Sequence, residues 1–333
     1  MVQPVHITGV GGYLPERILT NAELASLVDT TDDWIVERTG IRERHIIAGN
    51  QHTSDLAVEA ARQALDDAGL KPSDLDALVV ATTTPDMIFP STAAVVQSKL
   101  GASGFPVWDI QAVCSGFVYG LAQITGMMEA GMFRRVLLVG AESMSRILNW
   151  KDRTTCVLFG DGAGAVVLEC MDGEGGIMGS VLNADGSYRP LLMAKHPHPG
   201  ASPDMPDMRI DAAGIAAIEM RGNEVFRTAV NKLGEVVGQV LEHCHTEVSD
   251  VDWLIPHQAN IRIINATAKK LKLGTERVAI TVDKHANTSS ASVPLALNTY
   301  YREGKVKEGQ LILLEAFGAG FVWGANLLRW TKG

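Results

Sequence analysis

One strand entry is written twice in this chain, as Ser73-Asp74-Leu75-Asp76-Ala77-Leu78 and as Ser249-Asp250-Val251-Asp252-Trp253-Leu254. Internal self-similarity constrains a fold more than any single motif, because both copies must form the same supersecondary unit. The flanks agree as well. Apolar residues at helical spacing predict an amphipathic helix before each copy, over 55–68 and over 224–244, and a buried strand inside each. A second helix follows in both (93–101; 265–274), then a strand (105–110; 278–282) and a small-residue turn into a further helix. A long strand (136–140; 311–316), a Gly-rich turn and a closing strand (163–169; 321–330) complete each copy. The order predicts an α/β protein of two similar halves, 1–172 and 173–333. Functional loops in such a chain lie at the strand ends where the halves meet.

Composition narrows the class. A chain of 333 residues with 46% apolar content can fill a large core, and 33 glycines favour close packing of helices on sheets. The formal charge of −9 argues against wholesale nucleic-acid binding, though a local basic patch can still receive an acidic partner. The N-terminal stretch 1–12 has no basic segment followed by a long apolar one, so a cytoplasmic location is expected. The longest apolar runs, Val136–Val139 and Leu311–Leu314, are far short of the about 20 residues needed to cross a bilayer. Cys114, Cys156, Cys170 and Cys244 contain no C-x-x-C pair, which favours one reactive thiol over a disulfide framework or a zinc knuckle.

The repeat directs attention to equivalent turns. After the predicted strand 105–110 comes Gln111-Ala112-Val113-Cys114-Ser115-Gly116, with Cys114 opening a helix whose apolar face is 117, 121, 124 and 128. A helix N-terminus favours negative charge, so a thiolate is expected to be stabilised there. The matching turn of the second half holds Asn287, and the loop after the strand 253–255 holds His257. Taken singly, these have structural readings as a buried cysteine, an N-cap asparagine and a satisfied histidine. At pseudo-equivalent loops they form a Cys/His/Asn set. Phe317-Gly318-Ala319-Gly320-Phe321 offers backbone N–H groups for an oxyanion hole, or a tight strand connection. The glycine runs 9–12 and 160–164 lack a dinucleotide-site context and are expected to shape turns. His243-Cys244-His245 and His196-Pro197-His198 lack metal-ligand spacing, so no metal is expected.

Several long stretches then carry a resemblance over nearly the whole chain: TDDWIVERTGIRER (31–44), the Cys114 turn, FGDGAGA (159–165), GNEVF (222–226), PHQANIRII (256–264), NTSSASVP (287–294) and EAFGAGFVWG (315–324). The chain resembles β-ketoacyl-acyl carrier protein synthase III, a condensing enzyme of the thiolase superfamily. The resemblance implies the duplicated five-layered thiolase fold (α-β-α-β-α), a homodimer, and catalysis by Cys114, His257 and Asn287. It implies an oxyanion hole from the N–H groups of Cys114 and Ala319, and a CoA and pantetheine channel along Trp34, Arg38, Arg153, Gly222, Phe226 and Asn260. Phe89, Met220 and Phe317 would bound the acyl pocket, Phe89 from across the dimer interface, where its bulk favours a short primer. Arg227, Arg262, Lys269 and Lys270 would meet an acidic carrier protein.

The implied reaction joins an acyl-CoA primer to malonyl-acyl carrier protein with loss of CO2, acyl-CoA being a substrate and no cofactor being needed. Its enolate step requires a neutral His257 with hydrogen on Nε2. The lack of any Cys beyond 244 separates the chain from thiolases. Rival readings are a relative making a ketone, quinolone or ester in secondary metabolism, a Cys-dependent thioester hydrolase, and an acyl-binding protein. Two departures stand out: alanine at 319 where the family often has glycine, and a long segment over 191–215 near the acyl pocket.

Overall fold

The computed structural model describes residues 3–194 and 217–333. Most of the long segment noted above, and His196 and His198, lie outside the described residues.

The first sheet is built from β1 (Val5–Tyr13), β2 (Ala77–Ala81), β3 (Val107–Ile110), β4 (Arg135–Ser143) and β5 (Asp161–Cys170), in the order β1-β5-β4-β2-β3. The second takes β6 (Gly176–Ala184), β7 (Trp253–Pro256), β8 (Leu311–Gly318) and β9 (Val322–Arg329), in the order β6-β9-β8-β7. In both, the first three strands of the order are mutually antiparallel and the third and fourth are parallel; in the first sheet β3 adds a further parallel edge. The repeat therefore extends to β1 and β6, whose sequences show no likeness that would reveal it. The chain passes from one sheet to the other in 171–175.

One predicted strand is missing. The stretch 278–282 makes a single parallel bridge, Val278 to Leu254, in the place that β3 holds in the first sheet. Beyond Ala279, whose N–H donates to Leu254 O at 2.8 Å, the side-chain amide of Gln258 substitutes for a neighbouring strand. Its Oε1 accepts Thr281 N–H at 2.8 Å and Val282 N–H at 3.1 Å, and its Nε2 donates to Ala279 O at 3.0 Å. With those backbone groups satisfied, the chain turns into a short helix, Val282–His285, instead of extending a ladder.

Helices fill the layers between and around the sheets. α1 (Thr53–Ala68) and α2 (Thr92–Lys99) cover the outer face of the first sheet, and Asp109 at the end of β3 accepts the first two N–H groups of α2 at 2.7 Å each. α3 (Gly116–Glu129) and α6 (Ser292–Arg302) lie between the sheets, in a core shared by residues of both. α4 (Gly222–His243) and α5 (Ile261–Leu271) cover the second sheet. The layers run α-β-α-β-α. The helix α5 starts at 261, earlier than the pattern predicts, because Asn260 accepts Arg262 N–H and Ile263 N–H and so caps it.

The glycine runs are paired strand, not turns. Gly11 in β1 faces α1, where a Cβ would stand 2.2 Å from Ala60 O, and Gly164 in β5 faces α6, where a Cβ would stand 2.6 Å from Leu295 N. Each lets a helix backbone lie directly on the sheet. The halves also interlock. The hairpin of Arg17–Thr20 and Glu43–Ile46 and the helix Asp32–Thr39 come early in the chain, yet Leu19, Ile35, Ile41 and Ile46 join the core beneath α4 and α5.

Candidate active site

The two inner helices begin at matching elbows. Val113 has φ +47° and opens a 3₁₀ turn, Val113–Ser115, that leads into α3; Ser289 has φ +50° and opens Ser289–Ala291, which leads into α6. A left-handed conformation at a β-branched residue costs roughly 1–3 kcal/mol and persists where surrounding structure enforces it. Aligning the elbows pairs Cys114 with Ser290 and Asn287 with Gln111. The two turns are equivalent as expected, but the nucleophile and the amide hold different places in them.

Cys114, His257 and Asn287 are 6%, 5% and 6% exposed and line one cavity of about 410 Å³. The amide of Asn287 is oriented by its own turn, because its Oδ1 accepts Ser289 N–H at 2.9 Å and leaves Nδ2 to donate into the cavity. Its backbone is tied to the strap beside it: Asn287 N–H donates to Leu158 O at 3.0 Å, and Gly160 N–H donates to Asn287 O at 3.1 Å. His257 is fixed at both ends. Its N–H donates to Glu315 O at 2.8 Å, and its Nδ1 lies 2.6 Å from Ser292 Oγ. That oxygen accepts Gln258 N–H at 3.4 Å, and with the serine hydrogen turned to Nδ1 the ring hydrogen stands on Nε2. Burial pushes His257 down to about 3, which keeps the imidazole neutral. Both donors required for an enolate are thus presented together.

The thiol corrects one expectation. Cys114 sits at the start of α3, but burial pushes it up to about 12, a contact from Ser289 opposes this in part, and the nearby Glu142 carboxylate pushes it higher. The resting group is the thiol. At Gly318, a Cβ would stand 2.9 Å from Cys114 N, so the end of β8 passes directly against that N–H. Ala319 follows at once in the chain but is not among the residues that line the cavity.

The same cavity is lined by Phe317, Met220, Gly222, Phe226, Asn260, Arg38 and Trp34. The Arg38 and Arg153 guanidiniums lie 4.6 Å and 5.3 Å from the Trp34 ring centroid, a cation–π cluster at the mouth. Arg153 does not line the cavity; it donates to Asp29 O at 2.8 Å. Arg262 stacks 5.5 Å over Phe226. Arg227, Arg262, Lys269 and Lys270 are exposed on α4 and α5, with Lys270 donating to Asn231 O at 3.3 Å. Phe89 is 81% exposed beside Met87 and Ile88 and is absent from the cavity of its own chain. Among the described residues, no three His, Cys, Asp or Glu side chains are grouped to hold a metal. Ser289, Ser292, Gln258 and Glu142 are site residues that sequence reasoning missed. The first two lie in the stretch 287–294, but nothing local marks which hydroxyl faces which catalytic atom.

Fold and site together define a condensing acyltransferase on a duplicated α/β scaffold. Models of 3-oxoacyl-acyl-carrier-protein (ACP) synthase III match residues 108–186, and of its C-terminal part residues 241–330. The β-ketoacyl-acyl carrier protein synthase III of Thioalkalivibrio sulfidiphilus is 53% identical over 97% of this chain and 98% of its own. The crystal structure of the Aquifex aeolicus 3-oxoacyl-acyl-carrier-protein synthase III superposes with TM-score 0.91 at 44% identity, covering 98% of this chain and 100% of that one. The priming β-ketosynthase of the R1128 polyketide pathway superposes with TM-score 0.91 at 34% identity, covering 99% and 97%. The chain belongs to the β-ketoacyl-acyl carrier protein synthase III family.

Proposed function

We propose that this chain condenses a short acyl-CoA primer with malonyl-acyl carrier protein, releasing CoA and CO2 and giving 3-ketoacyl-acyl carrier protein, as the initiating step of type II fatty acid biosynthesis. The observation that carries this reading is the buried His257, with Ser292 Oγ against its Nδ1, beside the Asn287 amide, both lining the cavity of Cys114. A hydrolase needs a base to activate water, whereas this pair offers two donors to one oxygen.

Cys114 sulfur attacks the acyl-CoA carbonyl, the N–H groups of Cys114 and Ala319 hold the oxyanion, and CoA leaves. Malonyl-carrier protein enters the same channel. Its thioester oxygen accepts from His257 and Asn287 as CO2 departs, and the resulting enolate carbon bonds to the acyl carbon, expelling Cys114. Trp34, Arg38 and Arg153 hold the nucleotide end of CoA, and the exposed Arg227, Arg262, Lys269 and Lys270 receive the carrier. The halves 1–172 and 173–333 contribute the nucleophile and the two donors respectively.

A homodimer in the cytoplasm completes the proposal. β3 is an edge strand with all four residues only partly buried, and Met87, Ile88 and Phe89 project as an exposed apolar cluster. Such surface favours a partner subunit whose acyl pocket Phe89 closes. No helix among the described residues is long and apolar enough to cross a membrane.

The test is intact-mass analysis with a panel of acyl-CoAs, followed by malonyl-carrier protein. A Cys114 adduct that yields 3-ketoacyl-carrier protein and CO2 is expected. Free acid would mark a hydrolase, a ketone, quinolone or ester product would mark the secondary-metabolic reading, and no adduct would sink the proposal.

A further inference from the structure

A thiol held near 12 must lose its proton when it attacks, and neither neighbour in the catalytic set can take it. Asn287 has no basic atom, and His257 has Nδ1 engaged by Ser292 while its Nε2 hydrogen is reserved for the enolate. A third group lies behind Cys114. Glu142, at the end of β4, is fully buried and draws its donors from both halves. Its Oε2 accepts Thr83 N–H at 3.0 Å, Thr84 N–H at 3.1 Å and the Thr84 hydroxyl at 2.7 Å. Its Oε1 lies 3.0 Å from the hydroxyl oxygens of Ser289 and Ser290 alike. The turn Ser289–Ala291 packs against the turn Val113–Ser115, and the Ser289 side chain favours the thiolate form of Cys114.

The two serines differ in a way that matters. Ser290 Oγ is also 2.8 Å from Ala81 O, which can only accept. A hydroxyl has one hydrogen. With that hydrogen on Ala81 O, the contact to Glu142 is completed by a hydrogen on the carboxyl; with it turned to Glu142, the carboxylate is ionised. The network therefore has two fully bonded arrangements, which differ by one proton on the carboxyl and by the direction of one hydroxyl.

We propose that Ser289 and Glu142 form a relay that removes the Cys114 proton as the sulfur attacks the acyl donor. The thiol proton passes to Ser289 Oγ, the Ser289 hydrogen passes to Glu142 Oε1, and Ser290 turns its hydrogen to Ala81 O. The freed sulfur pair forms the bond to the acyl carbon, and the carbonyl π pair moves to oxygen. Collapse of that intermediate breaks the carbon–sulfur bond to CoA. The proton returns from Glu142 through Ser289 to the departing thiolate, leaving acyl-Cys114, free CoA thiol and an ionised Glu142. Burial raises Glu142 above its usual carboxylate range, which makes it the stronger proton acceptor.

The relay rests on Cys114 being the acyl acceptor, and the test separates the two. Acyl-Cys114 formation from acetyl-CoA is followed by time-resolved intact mass, and CO2 release from malonyl-carrier protein separately, from mildly acidic to alkaline pH. The wild-type protein is expected to acylate at a rate that varies far less with pH than the tenfold per unit of a free thiol. In Glu142→Gln, acylation at neutral pH falls on the order of 10²-fold. It then climbs about tenfold per pH unit, because free thiolate must form first. Decarboxylation stays within about twofold. Ser289→Ala, which leaves the threonine and Ser290 contacts of Glu142 in place, gives the same acylation loss, and Glu142→Asp recovers part of the neutral rate. A wild-type acylation rate and pH profile in Glu142→Gln would overturn the relay, as would equal losses in both half-reactions. No adduct on the wild-type protein would instead overturn the assignment of Cys114.

Discussion

A histidine in water is half-protonated near pH 6.5, and His257, buried with Ser292 against Nδ1, stays neutral down to about 3. The decarboxylation half-reaction should therefore show no loss traceable to this ring between neutral pH and about pH 5. His257→Ala and Asn287→Ala should each lower CO2 release on the order of 10²–10³-fold while acyl-Cys114 still forms, as read by intact mass. Loss of the adduct to the same extent would contradict the division of roles. The same depressed pKa makes a stability statement. A buried neutral histidine contributes stability that is fully present above its unfolded pKa of 6.5 and is lost as pH falls toward about 3. Urea unfolding should show His257→Gln losing less stability than the wild-type protein over that window, the difference growing at up to about 1.4 kcal/mol per pH unit.

At the scale of elements, local pattern and neighbouring structure disagree where a side chain replaces backbone partners. The stretch 278–282 has strand character, yet the Gln258 amide satisfies Thr281 and Val282 and releases the chain into a helical turn. No property of the stretch itself predicts that, since Gln258 lies in another loop. The glycine runs were misleading for a related reason. Glycine between apolar residues reads as a turn, whereas Gly11 is glycine because α1 lies on β1 without room for a Cβ. Gly11→Ala should therefore destabilise the fold by about 1–3 kcal/mol through overpacking. A denaturation midpoint equal to wild type would show that α1 yields more easily than the contact implies.

At the scale of the whole molecule, the proposed homodimer is supported by the edge strand β3 and the projecting Met87, Ile88 and Phe89. Phe89→Asp should shift sedimentation toward monomer and abolish condensation in proportion. Phe89→Ala should keep the dimer and admit longer acyl-CoA primers, measured as adduct formation across chain lengths. An unchanged primer profile with an intact dimer would remove Phe89 from the acyl pocket.

The sequence by itself determined the duplicated α/β plan, because strand and helix periods and the repeated strand entry are local signals that survive without coordinates. It also singled out Cys114, His257 and Asn287, since equivalent turns of a duplicated chain converge where the halves meet. Only the tertiary structure decided the protonation chemistry. The thiol of Cys114, the Nε2 hydrogen of His257 and the outward donor of Asn287 depend on burial and on Glu142, Ser289 and Ser292, which approach from distant segments. Proton positions follow from desolvation and donor counting in three dimensions, and linear spacing carries neither.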